Sequence, residues 1–303
     1  MEKESFLKTI NRQKMSYLFV AIPAVLFFVF QVIPLVASFV LSFTKYNIVQ
    51  APVFVGLDNY KTIFFHDPLF WKAIKNTFLY TIGVVPLGVC ISLLLAVAVD
   101  QQIKFKSFFK SLFFLPTVTA IIAVSVIWKW LYAGEKYGLL NFFIIKLGGT
   151  PIDWLASPEW ILPSIMIMSI WSGLGYNMIL FLAGLQTIPQ SMYEAAEING
   201  AGFWSKFFNV TIPLLKPTIL FVSVMSVIIS FQVFEQVYIM TGDQGGMGGV
   251  LNSGLTIVAY LYDKGFQEFQ MGYASALAYI IAFCVFMMTL INQKIMKNSK
   301  IEY

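Results

Sequence analysis

The chain has 303 residues, 58% of them hydrophobic and 12% charged, with a formal net charge of +5. A typical soluble domain carries about twice that share of charge. An ordinary water-soluble enzyme, a disordered tail and a collagen-like fibre are therefore excluded, and the expected solvent is mostly lipid. The two cysteines, Cys90 and Cys284, both lie in apolar runs. That placement argues against a disulfide framework or a metal cluster.

A bilayer core about 30 Å thick needs about 20 apolar residues in a helix. Six runs of that size follow in order, at 17–41, 76–99, 111–131, 161–184, 217–240 and 270–292. Their length without polar alternation predicts helices, because barrel strands alternate over about 10 residues. The first run follows Lys3, Lys8, Arg12 and Lys14 but is too long for a leader core and closes on no small-residue cleavage site. It reads as a retained helix, bent at Pro23 and Pro34. The third carries Lys129 near one end, where a lysine snorkels to the interface. The fifth carries a single acid, Glu235.

Basic residues set the orientation. Segments 1–16, 100–110, 185–216 and 293–303 hold 12 of them: Lys3, Lys8, Arg12, Lys14, Lys104, Lys106, Lys110, Lys206, Lys216, Lys294, Lys297 and Lys300. The longer segments 42–75, 132–160 and 241–269 hold seven: Lys45, Lys61, Lys72, Lys75, Lys136, Lys146 and Lys264. The excess predicts both termini in the cytoplasm. It also makes the net positive charge a topology signal rather than a nucleic-acid footprint.

Catalytic and nucleotide chemistry find no support. There is no G-x-x-x-x-G-K-[ST] phosphate loop. The glycines Gly245, Gly246, Gly248 and Gly249 lack the lysine and read as a flexible turn. His66, the single histidine, sits beside Asp67 and Pro68 and suits a turn or an interface. Neither a metal-ligand spacing nor a Ser–His–Asp set is present. What remains is a membrane protein that binds, conducts or carries.

The most informative stretch is the loop after the fourth run, on the basic side. Pro189 suits the first turn of a short helix, on which Met192, Ala195, Ala196 and Asn199 share one face. Gly200 and Gly202 end it, and Pro213 and Pro217 bracket the return to the membrane. Glu194-Ala195-Ala196, three residues, Gly200, nine residues, Val210, Thr211, Ile212, Pro213 is the order of residues here. This closely resembles the EAA motif of binding-protein-dependent ABC importer permeases, with Val210 for Ile and Ile212 for Leu.

The resemblance runs over nearly the whole chain and is to the sugar-importer branch. Pro34-Leu35 with Ser42-Phe43-Thr44, Gly56-Leu57-Asp58-Asn59-Tyr60, Asn76-Thr77, Leu115-Pro116, Trp128-Lys129-Trp130-Leu131 and Tyr137-Gly138-Leu139-Leu140-Asn141 follow in family order. The usual G-G-P after the fifth span is here Gly242-Asp243-Gln244-Gly245-Gly246, without proline.

The resemblance implies an all-α integral membrane protein of six transmembrane helices in the type I ABC importer permease architecture, with both termini cytoplasmic. Residues 1–16 are then a cytoplasmic segment, 17–292 the permease domain with a coupling loop at 185–216, and 293–303 a cytoplasmic tail. It further implies no cofactor on this chain, with ATP and Mg on two partner ATPase subunits. A second EAA-type permease, expected to be a different chain, and an extracellular solute-binding protein complete the complex. The setting is the bacterial or archaeal cytoplasmic membrane, and no nucleic acid is involved. Coupling to the ATPase is expected at Glu194, Ala195, Ala196, Glu197, Gly200, Gly202 and Pro213.

Polar and aromatic residues inside spans are candidate substrate contacts. Gln232, Glu235 and Gln236, spaced i, i+3, i+4, are expected on one face of the fifth helix, with Phe231 beside them. Trp171, Ser172, Tyr176 and Asn177 lie mid-way along the fourth, and Tyr273, Ser275 and Tyr279 on the last. Rings, amides and a carboxylate suit a sugar. An importer of glycerol-3-phosphate or another polar organic solute, an ion-coupled carrier centred on Glu235 and a purely structural subunit are the competing readings.

Overall fold

The computed structural model describes residues 14–101, 105–134, 137–242 and 246–297. Expectations placed on Lys3, Lys8, Arg12, Lys104, Lys136, Asp243, Gln244, Gly245 and Lys300 lie outside the described residues. The chain divides into two units, Met1–Phe65 with Lys264–Tyr279, and His66–Asp263 with Ile280–Tyr303.

In the first unit, α1 (Lys14–Phe27) and α2 (Ile33–Leu41) are joined by one π turn, Phe28–Val32, and make a 27-residue apolar span, Met15–Leu41. The irregularity was expected at the prolines. Instead α1 runs through Pro23, and the wide turn falls just ahead of Pro34. Proline has no N–H to give the carbonyl four residues back, and a π turn shifts the bonding register there. A two-strand antiparallel ribbon follows, β1 (Thr44–Lys45) and β2 (Val53–Phe54), then α3 (Asp58–Phe65).

The Gly56–Tyr60 motif knits this unit. Gly56 takes φ +59. Asn59 Nδ2 donates to the Ser42 and Thr44 carbonyls at 2.8 and 2.9 Å, and the Tyr60 hydroxyl to Ser42 Oγ at 2.9 Å. Gly272 lies so close that a Cβ would sit 1.9 Å from the Thr44 carbonyl oxygen. The Tyr279 hydroxyl donates to the Leu35 carbonyl.

The second unit holds α4 (Pro68–Asp100), α5 (Lys106–Val118), α6 (Ile121–Leu131), α7 (Leu139–Lys146), α8 (Ile161–Leu185), α9 (Gln190–Ile198) and α10 (Phe203–Lys206). After a π segment, Phe207–Thr211, come α11 (Ile212–Leu214), α12 (Lys216–Phe231), α13 (Glu235–Thr241) and α14 (Ile257–Tyr262). The last helix, α15 (Met271–Lys297), begins in the first unit and ends in the second.

α4 starts eight residues before the apolar run expected from 76, because Asp67 accepts the Leu69 and Phe70 N–H groups at 3.0 and 3.1 Å and Pro68 fits the first turn. α4, α8 and α12 share one core, in which Val89, Leu93 and Ala96 meet Met178, Phe181, Val222 and Phe231. Small residues allow the close crossings, as expected where lipid gives no hydrophobic push between helices. A Cβ on Gly175 of α8 would lie 2.1 Å from the Phe113 carbonyl oxygen of α5, and one on Gly184 would lie 2.5 Å from Thr218 Oγ1 of α12.

Among the described residues four helical spans are unbroken: Met15–Leu41, Pro68–Asp100, Ile161–Leu185 and Met271–Lys294. Two bent pairs raise the number to six, α5 with α6 at 98° and Phe203–Leu214 with Lys216–Phe231 at 70°. The six-span expectation holds in this form, but two runs are not single helices. The third breaks at Thr119, which is extended, and Ala120, which is also non-helical, and Thr119 Oγ1 takes up the freed Leu115 carbonyl at 3.0 Å. The fifth stops at Phe231 and restarts at Glu235.

Lys129, expected to snorkel, donates to the Ile239 carbonyl of α13 at 3.3 Å. The glycine segment is a packed turn rather than a loose one. Gly246, Gly248 and Gly249 have φ of +103, +96 and +68, and a Cβ on Gly248 would sit 2.6 Å from Leu255 Cβ. Side chains of α4 satisfy the non-helical backbone here, which a membrane setting demands. Asn76 Nδ2 donates to the Asn252 and Leu255 carbonyls at 3.2 and 3.0 Å, and Thr77 Oγ1 accepts from Ile257 N at 2.9 Å.

Candidate translocation cavity and coupling loop

A cavity of about 400 Å³ opens within the second unit, walled by α4, α8, α12 and α13 with Thr117 of α5 and Ile121 of α6. Its polar lining is Tyr80, Thr117, Ser169, Ser172, Tyr176, Asn177, Ser226, Ser230, Glu235 and Gln236, with no Lys or Arg among the described residues. Helix periodicity makes this wall: Ser169, Ser172, Gly173, Tyr176 and Asn177 fall on one stripe of α8, and Ser226 and Ser230 on one stripe of α12.

Most of the donors here are already used. Ser172 Oγ bonds the Ser169 carbonyl at 3.1 Å and Thr117 Oγ1 the Ser172 carbonyl at 3.1 Å. Ser230 Oγ bonds the Val227 carbonyl at 2.9 Å and Thr81 Oγ1 at 3.0 Å. Asn177 Nδ2 reaches Ser226 Oγ at 3.5 Å. By contrast Gln236 Oε1 is buried with no hydrogen-bond partner among the described residues. A buried unpartnered acceptor costs roughly 1–3 kcal/mol, which a ligand hydroxyl would recover.

The sequence-derived substrate candidates separate into three groups. Ser172, Tyr176, Asn177, Glu235 and Gln236 line the cavity. Trp171, Phe231 and Gln232 do not. Trp171 is one step around α8, edge-on to Trp128 at 5.6 Å. Phe231 is fully buried in the helix core, edge-on to Phe78 at 5.2 Å. Gln232 lies past the end of α12, at φ −97 and ψ +12, so the expected shared face with Glu235 and Gln236 does not exist. Tyr273 and Ser275 belong to the first unit, where Tyr273 lines a different cavity with Asn47, Gln50, Asn59 and Gln270. Tyr80, Thr117, Ser169, Ser226 and Ser230 were missed. Single hydroxyls in apolar runs look like helix glue, and only the four-residue spacing of Ser226 and Ser230 hinted at a stripe.

The loop at 185–216 is built as a helix with a defined stop. Pro189 lies at the N-cap position, one residue ahead of the first turn where it was expected and with no side-chain capping bond, and Gly200 at φ +76 closes α9. Ala201 N donates to the Ala196 carbonyl and Gly200 N to the Glu197 carbonyl, both at 2.9 Å, which is a Schellman cap. Gly202 then starts α10, and Pro213 lies in the first turn of α11. Glu194 and Ala195 are exposed, and Ile198 is 88% exposed, a large apolar side chain left uncovered. Glu197 is different: its Oε1 lies 2.6 Å from Lys206 Nζ.

Comparison with known proteins agrees with this architecture. The model of the family described as "Binding-protein-dependent transport system inner membrane component" matches residues 13–297. The arabinooligosaccharides transport system permease protein AraP of Bacillus subtilis is 33% identical over 96% of this chain and 91% of its own length. The lactose transport system permease protein LacF of Rhizobium radiobacter is 36% identical over 89% of each. Among solved structures, a chain of a bacterial ABC transporter that imports the acidic polysaccharide alginate superposes with a TM-score of 0.83 at 23% identity, covering 97% of this chain and 99% of that one. The helix order, the bent pairs and the family match lead to one conclusion: the chain belongs to the inner membrane components of binding-protein-dependent transport systems.

Proposed function

We propose that this permease forms half of the translocation pathway of an ATP-driven importer for a neutral sugar or oligosaccharide. The observation that carries it is a continuous path in one unit. The exposed α9, with its glycine stop, leads through a 70° bend into α12, and Ser226, Ile229 and Ser230 of α12 wall the cavity. A partner ATPase pressing on α9 would thus move the cavity wall. Glu194, Ala195, Ala196 and Gly200 are the docking contacts in this reading, with Gly202 and Pro213 shaping the loop. ATP and Mg stay on two partner subunits.

The excess of basic residues supports a cytoplasmic loop and cytoplasmic termini, with 1–16 and 293–303 flanking a permease domain at 17–292. A second permease supplies the other half of the pathway, and an extracellular binding protein delivers the solute across a bacterial or archaeal cytoplasmic membrane.

Substrate class rests on the lining. Serine and threonine hydroxyls, two amides, two tyrosines and one carboxylate suit a polyhydroxy ligand. A phosphate ester calls for fixed positive charge, which this wall lacks. The sugar permeases among the relatives point the same way. The test is ATPase stimulation of the purified complex by its binding protein, loaded in turn with neutral oligosaccharides and with glycerol-3-phosphate. Stimulation by a neutral sugar is expected, and stimulation by the phosphate ester alone overturns the substrate reading.

A further inference from the structure

We propose that Glu197, Lys206, Tyr193 and Thr211 brace the coupling loop internally, so that Glu197 is a positioning residue rather than a docking contact. The proposal rests on the coupling role given to α9 above. That helix has two faces. Met192, Glu194, Ala195 and Ile198 are exposed. Tyr193 and Glu197, four residues apart and so neighbours on one face, line a cavity of about 410 Å³ with Asp100, Lys206, Phe207 and Thr211, with Tyr193 half-buried and the Glu197 side chain still 59% exposed.

Two ties cross from this face to the segment beyond the glycines. One is the 2.6 Å ion pair of Glu197 with Lys206, whose side chains are 59% and 24% exposed respectively. The other is the 3.1 Å hydrogen bond between the Tyr193 and Thr211 hydroxyls. The nearby acid Asp100 has its own cation, Lys106, at 3.4 Å, which leaves Glu197 as the partner of Lys206. Between the ties lies the turn Gly200-Ala201-Gly202, a natural hinge. An untied α9 would swivel there and absorb an applied displacement. With both ties made, α9, α10 and the π segment move as one lever, and the bend is confined to Leu215, between α11 and α12.

The test uses the full complex with its partner subunits, with Cys90 and Cys284 replaced by serine and a reporter Ser226→Cys in the cavity wall. The maleimide labelling rate of that cysteine is read with and without Mg-ATP. In the parent complex ATP changes the rate. Lys206→Met is expected to shrink the change roughly fivefold, the upper end for a partly exposed ion pair, while the same amount of ATPase co-purifies. The exchange Glu197→Lys with Lys206→Glu restores the response. A full ATP response in Lys206→Met, loss of the ATPase from that variant, or failure of the exchanged pair to restore the response each overturns the brace. A parent complex that binds its ATPase yet shows no ATP response overturns the coupling reading itself, and the brace with it.

Discussion

Gly200 offers a prediction whose size can be worked from the backbone. It closes α9 at φ +76, and a Cβ built there meets nothing within 4 Å. Space is therefore not the constraint; backbone conformation is. An L-residue in the left-handed region costs about 1–2 kcal/mol, and a β-branched one more. Both Schellman bonds depend on that conformation. Gly200→Val should then leave about 5–30-fold fewer loops in the docking geometry, whereas Gly200→Asn, which tolerates left-handed φ, should stay within about twofold of the parent. The assay is ATP-driven solute uptake by the reconstituted complex, alongside membrane insertion, which neither variant should change. Parent-like uptake by Gly200→Val would refute the reasoning. So would an Asn variant as poor as the Val variant, since that would mean a side-chain clash with the partner.

Three further outcomes are expected. Gly175→Ala places a Cβ 2.1 Å from the Phe113 carbonyl; overpacking of this kind costs about 1–3 kcal/mol, so the unfolding temperature in detergent should fall by a few degrees, and an unchanged value contradicts the close α5–α8 crossing. Asn76→Ala strips a donor from two carbonyls, worth roughly 1–3 kcal/mol, and should speed hydrogen exchange of amides 248–257 without affecting α9; equal exchange would contradict the clasp. Gln236→Leu removes the unpartnered buried acceptor, so uptake should drop while thermal stability holds or rises; the opposite pattern would remove Gln236 from the binding wall.

Sequence and structure agree best where one physical rule acts alone. Apolar length forecasts the spans, and α8 begins and ends within a residue of its run because nothing interrupts it. The Gly200 stop is equally legible, since few residues other than glycine take that φ at low cost. Hydropathy reports how apolar a stretch is, not whether its backbone is continuous. The breaks at Thr119–Ala120 and after Phe231 therefore leave no mark in it, and the helical face that spacing predicts for Gln232 does not exist. The Asp67 cap that lengthens α4 sits in a polar loop outside any apolar run. The role of Glu197 depends on Lys206 nine residues on, across a turn, a spacing no helical rule anticipates.

The most direct measurement is uptake of a labelled neutral oligosaccharide into proteoliposomes holding the complete complex, with the binding protein outside and ATP inside. Expected is uptake that needs both ATP and the binding protein and is unaffected by collapsing proton and sodium gradients. Uptake by this permease without ATPase subunits, driven by an imposed ion gradient, would contradict a pathway powered through α9.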